Sequence, residues 1–370
     1  MRVKYLLLLS VMLMIVIAPL ITLSNAQQIT PVISIKDPEG DDRGPGYYGY
    51  PSNSVFKPGV FDLTKFEIYT NSSSVIFKVY FKDLGGNPWN GPNGFCLQYV
   101  QIYVHTTMSG VPARMDTLGL NVVLRSDYAW HFAFLLAPGW DTQAVPVGQK
   151  SALYYANGTV IVQDTIFSVH ADTANNAIVA EVSKNILPDI DNIASWKIVV
   201  AVASYDGFGP LRVRTAGVTG GEWVINASRY ASPGLIPKIS KAIAAGIEPR
   251  VLDLLVYSSD YPNGITADQQ YAWLDSYNVD LKTLAVVPAL PLQTTTIIQT
   301  STVTQTVTMT QTRTQIQTTT IPQTTTVEKT ITVPTTTTTT VTTTDWTTAS
   351  ILSIVLLIIG IGIGYVVKRR

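Results

Sequence analysis

The chain has 370 residues, 46% of them hydrophobic and 14% charged, with 25 lysines and arginines set against 25 aspartates and glutamates. That apolar content suffices for a sizeable core, and a net charge of zero supplies no field to draw a nucleic acid, which excludes that class of partner. A single cysteine, Cys96, excludes an intrachain disulfide and reads as a small buried hydrophobe within a strand.

Arg2 and Lys4 precede an apolar run from Tyr5 to Leu23, and Ser24-Asn25-Ala26 offers the small residues of a signal-peptidase site. Residues 1–26 are therefore expected to be an export signal; the alternative is a retained N-terminal anchor. The mature chain then opens on DPEGDDRGPGYYGYP, Asp37 to Pro51. Asp37, Glu39, Asp41 and Asp42 crowd into six residues, and Pro38 and Gly40 bend the backbone so that their side chains converge. Calcium takes about six to eight oxygen ligands in a flexible shell, which such a turn can supply. EF-hand spacing is lacking, and a plain solvated acidic turn has the same composition. Asp206, in SYDGFGP, is a further candidate oxygen donor, or simply a turn former.

Val75, Phe77, Val79 and Phe81 alternate with Ile76, Lys78 and Tyr80, which predicts a half-buried strand. FCLQYVQIYVH, Phe95 to His105, is apolar on both faces and predicts a central strand. Further strands are expected over 121–124, 130–136, 153–162 with a turn at Asn157-Gly158, 177–182 and 196–203. Helices are few and late: one over 239–247, and one opened by the capping box Thr266 to Gln269 and running to about Tyr277. Short strands without alternating helices predict an all-β fold, an antiparallel β-sandwich over residues 27–291 with a few short C-terminal helices closing one end.

Asn71, Asn157 and Asn226 each begin a glycosylation sequon. Tyr47, Tyr48, Tyr50, Trp89, Trp140 and Trp223 lie in loop contexts rich in glycine or proline, where an aromatic face can stack on the C–H side of a pyranose. Each can equally be a core plug; Trp89 and Trp140 are the preferred pair, whereas Trp130 and Trp196 begin strands and read as core. A hydrolase would need two carboxyls about 5 to 10 Å apart. Asp189, Asp191, Asp253 and Asp260 are far enough apart in sequence to face each other, but nothing in their spacing brings them together. His105, His131 and His170 have no metal-site spacing, and no G-x-S-x-G, H-E-x-x-H or phosphate loop appears, so no enzyme is expected.

Residues 292–346 are dominated by threonine with almost no charge, and are expected to form a disordered, extended, O-glycosylated stalk with no returning turn to pair it. Residues 347–367 are uncharged and long enough to span a bilayer, with Lys368, Arg369 and Arg370 marking the cytoplasmic side. These features predict a single-pass membrane protein with its bulk outside the cell.

The runs KDPEGDDRGPGYYGYPSNSVFKPGVFDLTKFEIY, FKDLGGNPWNGPNGFCLQYVQIYVHT, SYDGFGPLRVR, PRVLDLLVY and SYNVDLKTLAVVPAL together resemble the C-terminal binding module of glucodextranase. That module is also appended to archaeal pullulanases and is similar to S-layer-homology and carbohydrate-binding modules. The likeness spans about residues 32 to 290 and is weaker from Met108 to Lys150. It implies a β-sandwich, an ancillary binding role and calcium at the acidic turn. No glucosidase barrel accompanies it. The chain is thus expected to be a non-catalytic archaeal surface protein that binds α-glucan or S-layer glycan. The alternatives are a surface-layer scaffold that binds S-layer proteins, and an unrecognised glycoside hydrolase.

Overall fold

The computed structural model describes residues 30–140 and 150–289, and the backbone of 293–313 and 323–343. The expected export signal, membrane span and basic tail lie outside the described residues. The chain divides into two compact units, one ending at Ala289 and one beginning at Leu290.

In chain order the first unit carries β1 (Ile33–Lys36), β2 (Leu63–Thr70), β3 (Ser74–Phe81), β4 (Gln98–His105), β5 (Val122–Leu124), β6 (Phe132–Leu136), β7 (Ala152–Tyr155) and β8 (Val160–Val162). There follow β9 (Phe167–Asp172), β10 (Ala177–Ser183), β11 (Lys197–Ser204), β12 (Ala216–Gly217), β13 (Ile225–Asn226), α1 (Ile236–Ala245), β14 (Asp253–Tyr257), α2 (Ala267–Leu274) and β15 (Ala285–Val287). A five-stranded antiparallel sheet has the order β1-β2-β3-β10-β9, and a six-stranded one the order β14-β11-β4-β6-β7-β8. The pairs β12-β13 and β5-β15 are small and parallel.

The alternation in β3 buries Val75, Phe77, Val79 and Phe81, as expected of a strand with one dry face. They meet Val100, Ile102, Phe132, Phe134, Ile198 and Val200 of the six-stranded sheet in the inter-sheet core. The reverse face of that larger sheet is also covered. Tyr99, Tyr103, Ala133, Leu135, Val199, Ala201, Leu254 and Val256 form a second core with Leu120, Trp130, Trp273 and Leu274. β4 runs between β11 and β6 and is buried on both sides, which accounts for its unbroken apolar pattern.

Both expected helices form, and α2 covers the outer face of the larger sheet rather than closing one end of the sandwich. Trp273 and Leu274 of α2 lie over the outer face of the larger sheet, and Ile239 and Ala242 of α1 join the first and second cores respectively. The predicted capping box is present: the Thr266 hydroxyl accepts the Gln269 amide, while the Gln269 side chain accepts the Thr266 amide at 2.9 Å. Cys96 is buried and unpaired.

The threonine-rich segment, expected as a stalk, carries two further strands. Two strands, β16 (Gln293–Arg313) and β17 (Gln323–Thr343), pair antiparallel from Gln293↔Thr343 to Arg313↔Gln323. β-branched Thr, Val and Ile favour extended backbone, and an antiparallel partner supplies the hydrogen bonds that one strand lacks. Among the described residues no helix is long and apolar enough to cross a membrane.

His131 illustrates how the structure disposes of the histidines. Its Nδ1 accepts from the Thr106 amide at 3.1 Å, and its ring lies 4.5 Å from that of His105. Burial, and then the neighbouring His105, hold its pKa below the usual imidazole value, against the opposing pull of Asp189. A depressed folded-state pKa gives stability that is present above the unfolded value of about 6.5 and is lost as the pH falls through the folded one. The melting temperature of His131→Gln is therefore expected to fall less than that of the parent between about pH 7.5 and 5; equal slopes would refute the assignment.

Candidate functional site

Three loops and the strand end that follows β11 converge on a cleft of about 840 Å³, lined among the described residues by Trp89, Trp140, Tyr205, Asp206, Gly207, Phe208, Arg214 and Trp223. A volume of this order suits a small-molecule or oligosaccharide ligand. Trp89 sits in a tight loop after β3, where the Asn87 side chain accepts from the Gly91 amide at 2.7 Å and donates to the Gly91 carbonyl at 2.8 Å. Its ring lies 5.9 Å from that of Trp223, tilted by 54°. Trp140, which follows β6, lies 5.7 Å from Tyr205, tilted by 34°. Phe208 is fully exposed.

Buried Arg214 holds these walls together. Its Nη1 donates to the Trp223 carbonyl at 2.7 Å, its Nη2 to the Tyr205 carbonyl at 2.7 Å and its Nε to the Ser204 hydroxyl at 2.9 Å. Its guanidinium also lies 4.9 Å from the Phe56 ring centre and 3.6 Å from the Asp206 carboxylate. Burial lowers its pKa and Asp206 opposes that shift. Asp206 in turn accepts the Phe208 amide at 3.0 Å, which shapes the DGFG turn. The same loop holds two non-glycine residues in the left-handed region, Leu211 at φ 53° and Arg212 at φ 62°. The cleft thus offers several aromatic faces with one carboxylate beside them. The buried Tyr205 hydroxyl has no hydrogen-bond partner.

A second cluster lies at the acidic turn. Asp37 and Asp41 from the turn meet Asp253, the first residue of β14, and each offers an oxygen within 4.8 Å of the others. Both Asp37 oxygens and Asp41 Oδ1 are buried without a hydrogen-bond partner. Asp253 is better satisfied: Oδ2 accepts the Leu63 amide at 2.7 Å and Oδ1 the Leu254 amide at 2.8 Å. Burial pushes Asp41 up to about 7. Burial and then the charge of Asp41 raise Asp37, while burial and then the charge of Asp37 raise Asp253. Nearby Asp62, whose carboxylate accepts the Gly40 amide at 3.0 Å, is raised to about 6, again first by burial. Unpartnered anionic oxygens facing one another are the donor set of a hard cation, so these residues fit calcium.

A model of the C-terminal, SLH-like binding module of glucodextranase matches residues 32–289. The chain belongs to this family. Comparison with curated proteins finds no match. The match covers nearly the whole first unit, including the stretch from Met108 to Lys150 where the likeness is hardest to read in the sequence. A glucodextranase-type binding module is not a catalytic domain, and it supports a carbohydrate-binding role.

Within this module the sequence-expected residues sort unequally. Trp89, Trp140 and Trp223, from segments more than eighty residues apart in two cases, share the cleft. Tyr47 and Tyr48 do not: at 5% and 2% exposure they are core residues. Their hydroxyls bond Asp275 and Tyr277, and the Pro249 carbonyl, all at 2.8 Å, so they dock the opening loop on the C-terminal segments. Tyr50 is half-buried, donates to Asp42 and accepts the Phe61 amide at 3.1 Å. Asp42 is thus engaged by Tyr50, and exposed Glu39 pairs with Lys82 at 3.4 Å. Asp206 belongs to the aromatic cleft, so of the expected metal ligands only Asp37 and Asp41 meet in the cluster. Asp189 is held by Thr107 and Trp196, which leaves it no role facing Asp253.

Tyr205, Phe208 and Arg214 were missed as site residues, and Asp253 was considered only as a carboxyl of the hydrolase alternative, not as a partner of the acidic turn. SYDGFGP carried the first two beside Asp206, and an aromatic on each side of a glycine-rich turn is the signal that could have found them. Among the sequons, Asn157 is exposed in the β7–β8 turn. Asn71 is half-buried and accepts the Ser73 amide at 2.8 Å. Asn226 is half-buried in β13 and bridged to Gly49.

Proposed function

We propose that this protein is a non-catalytic, cell-surface glycan-binding protein whose aromatic cleft takes an α-glucan or an S-layer-type glycan. The observation that carries the reading is the meeting of Trp89, Trp140 and Trp223 in one cleft beside Asp206. Indole faces stack on the apolar C–H faces of pyranose rings, while a carboxylate beside them hydrogen-bonds the hydroxyls. Export by residues 1–26, a threonine-rich stalk over 292–346 and anchorage by 347–367 would place the module outside an archaeal cell with its C-terminus in the cytoplasm.

Retardation of the full chain in gels containing soluble α-glucan tests this. Trp89→Ala and Trp223→Ala are each expected to weaken binding by about 1–2 kcal/mol, roughly five- to thirtyfold. Trp196→Phe, in the inter-sheet core, serves as a control for general damage to the fold. Retardation unchanged in both cleft variants would exclude the cleft as the glycan site. Fully exposed Phe208 in the cleft lining, with exposed Leu211 three residues on, favours a protein of the surface layer as the second reading. Capture of S-layer protein that is lost in Phe208→Ser, with no α-glucan response in the parent, would establish that reading instead.

A further inference from the structure

We infer that Asp37, Asp41 and Asp253 form a buried calcium site that staples the N-terminal turn to the first residue of β14. This site is separate from the aromatic cleft and does not depend on what the cleft binds.

Asp253 lies more than two hundred residues along the chain from Asp37 and Asp41, and the three side chains are almost fully buried, with 7%, 2% and 0% exposure for Asp37, Asp41 and Asp253. Their facing oxygens lie within 4.8 Å of one another. Two oxygens on one calcium ion, each at about 2.3–2.6 Å, can be up to about 5 Å apart, so the cluster falls within the reach of a single ion. Three of the oxygens have no hydrogen-bond partner although they are buried. Among the described residues none of the three carboxylates forms an ion pair; Lys82 pairs instead with Glu39 and lies 3.8 Å from Asp62. Buried carboxylates without donors or cations are costly, and the cost disappears when they coordinate a metal.

The surroundings are built to hold the cluster in place. Gln270 of α2 donates its amide to the Asp41 carbonyl at 2.6 Å and accepts the Leu254 amide at 2.7 Å, so one side chain braces both halves of the site. Gly44, at φ 57°, lies so close to Tyr48 that an added Cβ would fall 2.6 Å from the ring, which fixes the turn against the core. Magnesium demands a tighter octahedral shell and gives up its water reluctantly, which a dry cluster of carboxylates does not suit. The competing chemistry is a proton shared between Asp37 and Asp253, as in other close carboxyl pairs.

The test uses the full chain stripped with a chelator and titrated with calcium chloride alone, followed by calorimetry and by thermal unfolding. The expected result is saturable binding at one site and a melting temperature raised by about 5–10 °C at about a hundredfold excess over Kd. Asp253→Asn and Asp41→Asn are each expected to abolish that rise, while Glu39→Gln leaves it intact. Removing one of three like charges should leave the calcium-free Asp253→Asn protein at least as stable as the calcium-free parent. A purely structural Asp253 would show the reverse: lower stability without calcium and an unchanged response to it. No heat and no shift in the parent would overturn the inference in favour of the shared proton, and an equal shift with magnesium alone would overturn the choice of ion.

Discussion

Arg214→Ala is expected to destabilise the protein by about 3–5 kcal/mol and to abolish glycan retention, the largest effect of any single change in the cleft. The guanidinium serves the Tyr205 and Trp223 carbonyls and the Ser204 hydroxyl at once, and it faces Asp206 and covers Phe56. Deleting it leaves buried acceptors without donors, a carboxylate without its cation and a void against an aromatic ring. Arg214→Lys keeps the charge but loses the planar fork, and is expected to recover less than half of the loss. Urea unfolding measures both. A loss below about 1 kcal/mol for the alanine variant would mean that Arg214 does not hold the two cleft walls together.

The second large effect is expected at Gly91. An alanine Cβ there would lie 2.1 Å from the Phe95 carbonyl oxygen and 3.1 Å from its carbonyl carbon, a clash with backbone that no rotamer change relieves. The loop must open, and with it goes the mutual pair of hydrogen bonds between Asn87 and Gly91 that presents Trp89. Gly91→Ala is expected to cost about 2–4 kcal/mol and to weaken glycan binding about tenfold. Gly86→Ala is the matched comparison, since Gly86 has φ 72° but open space around its Cβ position. That change carries only the left-handed backbone penalty of about 1–2 kcal/mol and should leave binding near the parent level. Equal losses of binding in the two variants would sink the account of the Trp89 loop.

Strands whose burial follows a simple period were legible from the sequence. β3 alternates and β4 is buried throughout, and both lie where hydrophobic periodicity puts them. β2 was not legible, because LTKFEIYT buries Phe66, Glu67 and Ile68 in succession. The outward Glu67 is covered by the hydroxyls of Tyr69 and Tyr80 at 2.7 Å, a tertiary arrangement that breaks the alternation. β14 was missed for a related reason. DLLVY is a short apolar run whose length and composition suit either a strand or a buried helical turn, and only its pairing with β11 decides between them.

The site shows the same division. Periodicity and turn chemistry by themselves determined the all-β class, whole runs carried the resemblance to the family, and local composition offered Trp89, Trp140, Trp223, Asp37 and Asp41 only among a wider set of candidates, because these readings depend on residue type and on spacing over a few positions. Which tyrosines line the cleft and which plug the core, that Asp253 rather than Glu39 completes the acidic cluster, and that Arg214 joins the cleft walls were decided by tertiary structure alone. Those outcomes rest on contacts between segments far apart in the chain, and burial and charge pairing across such distances leave no local pattern to read.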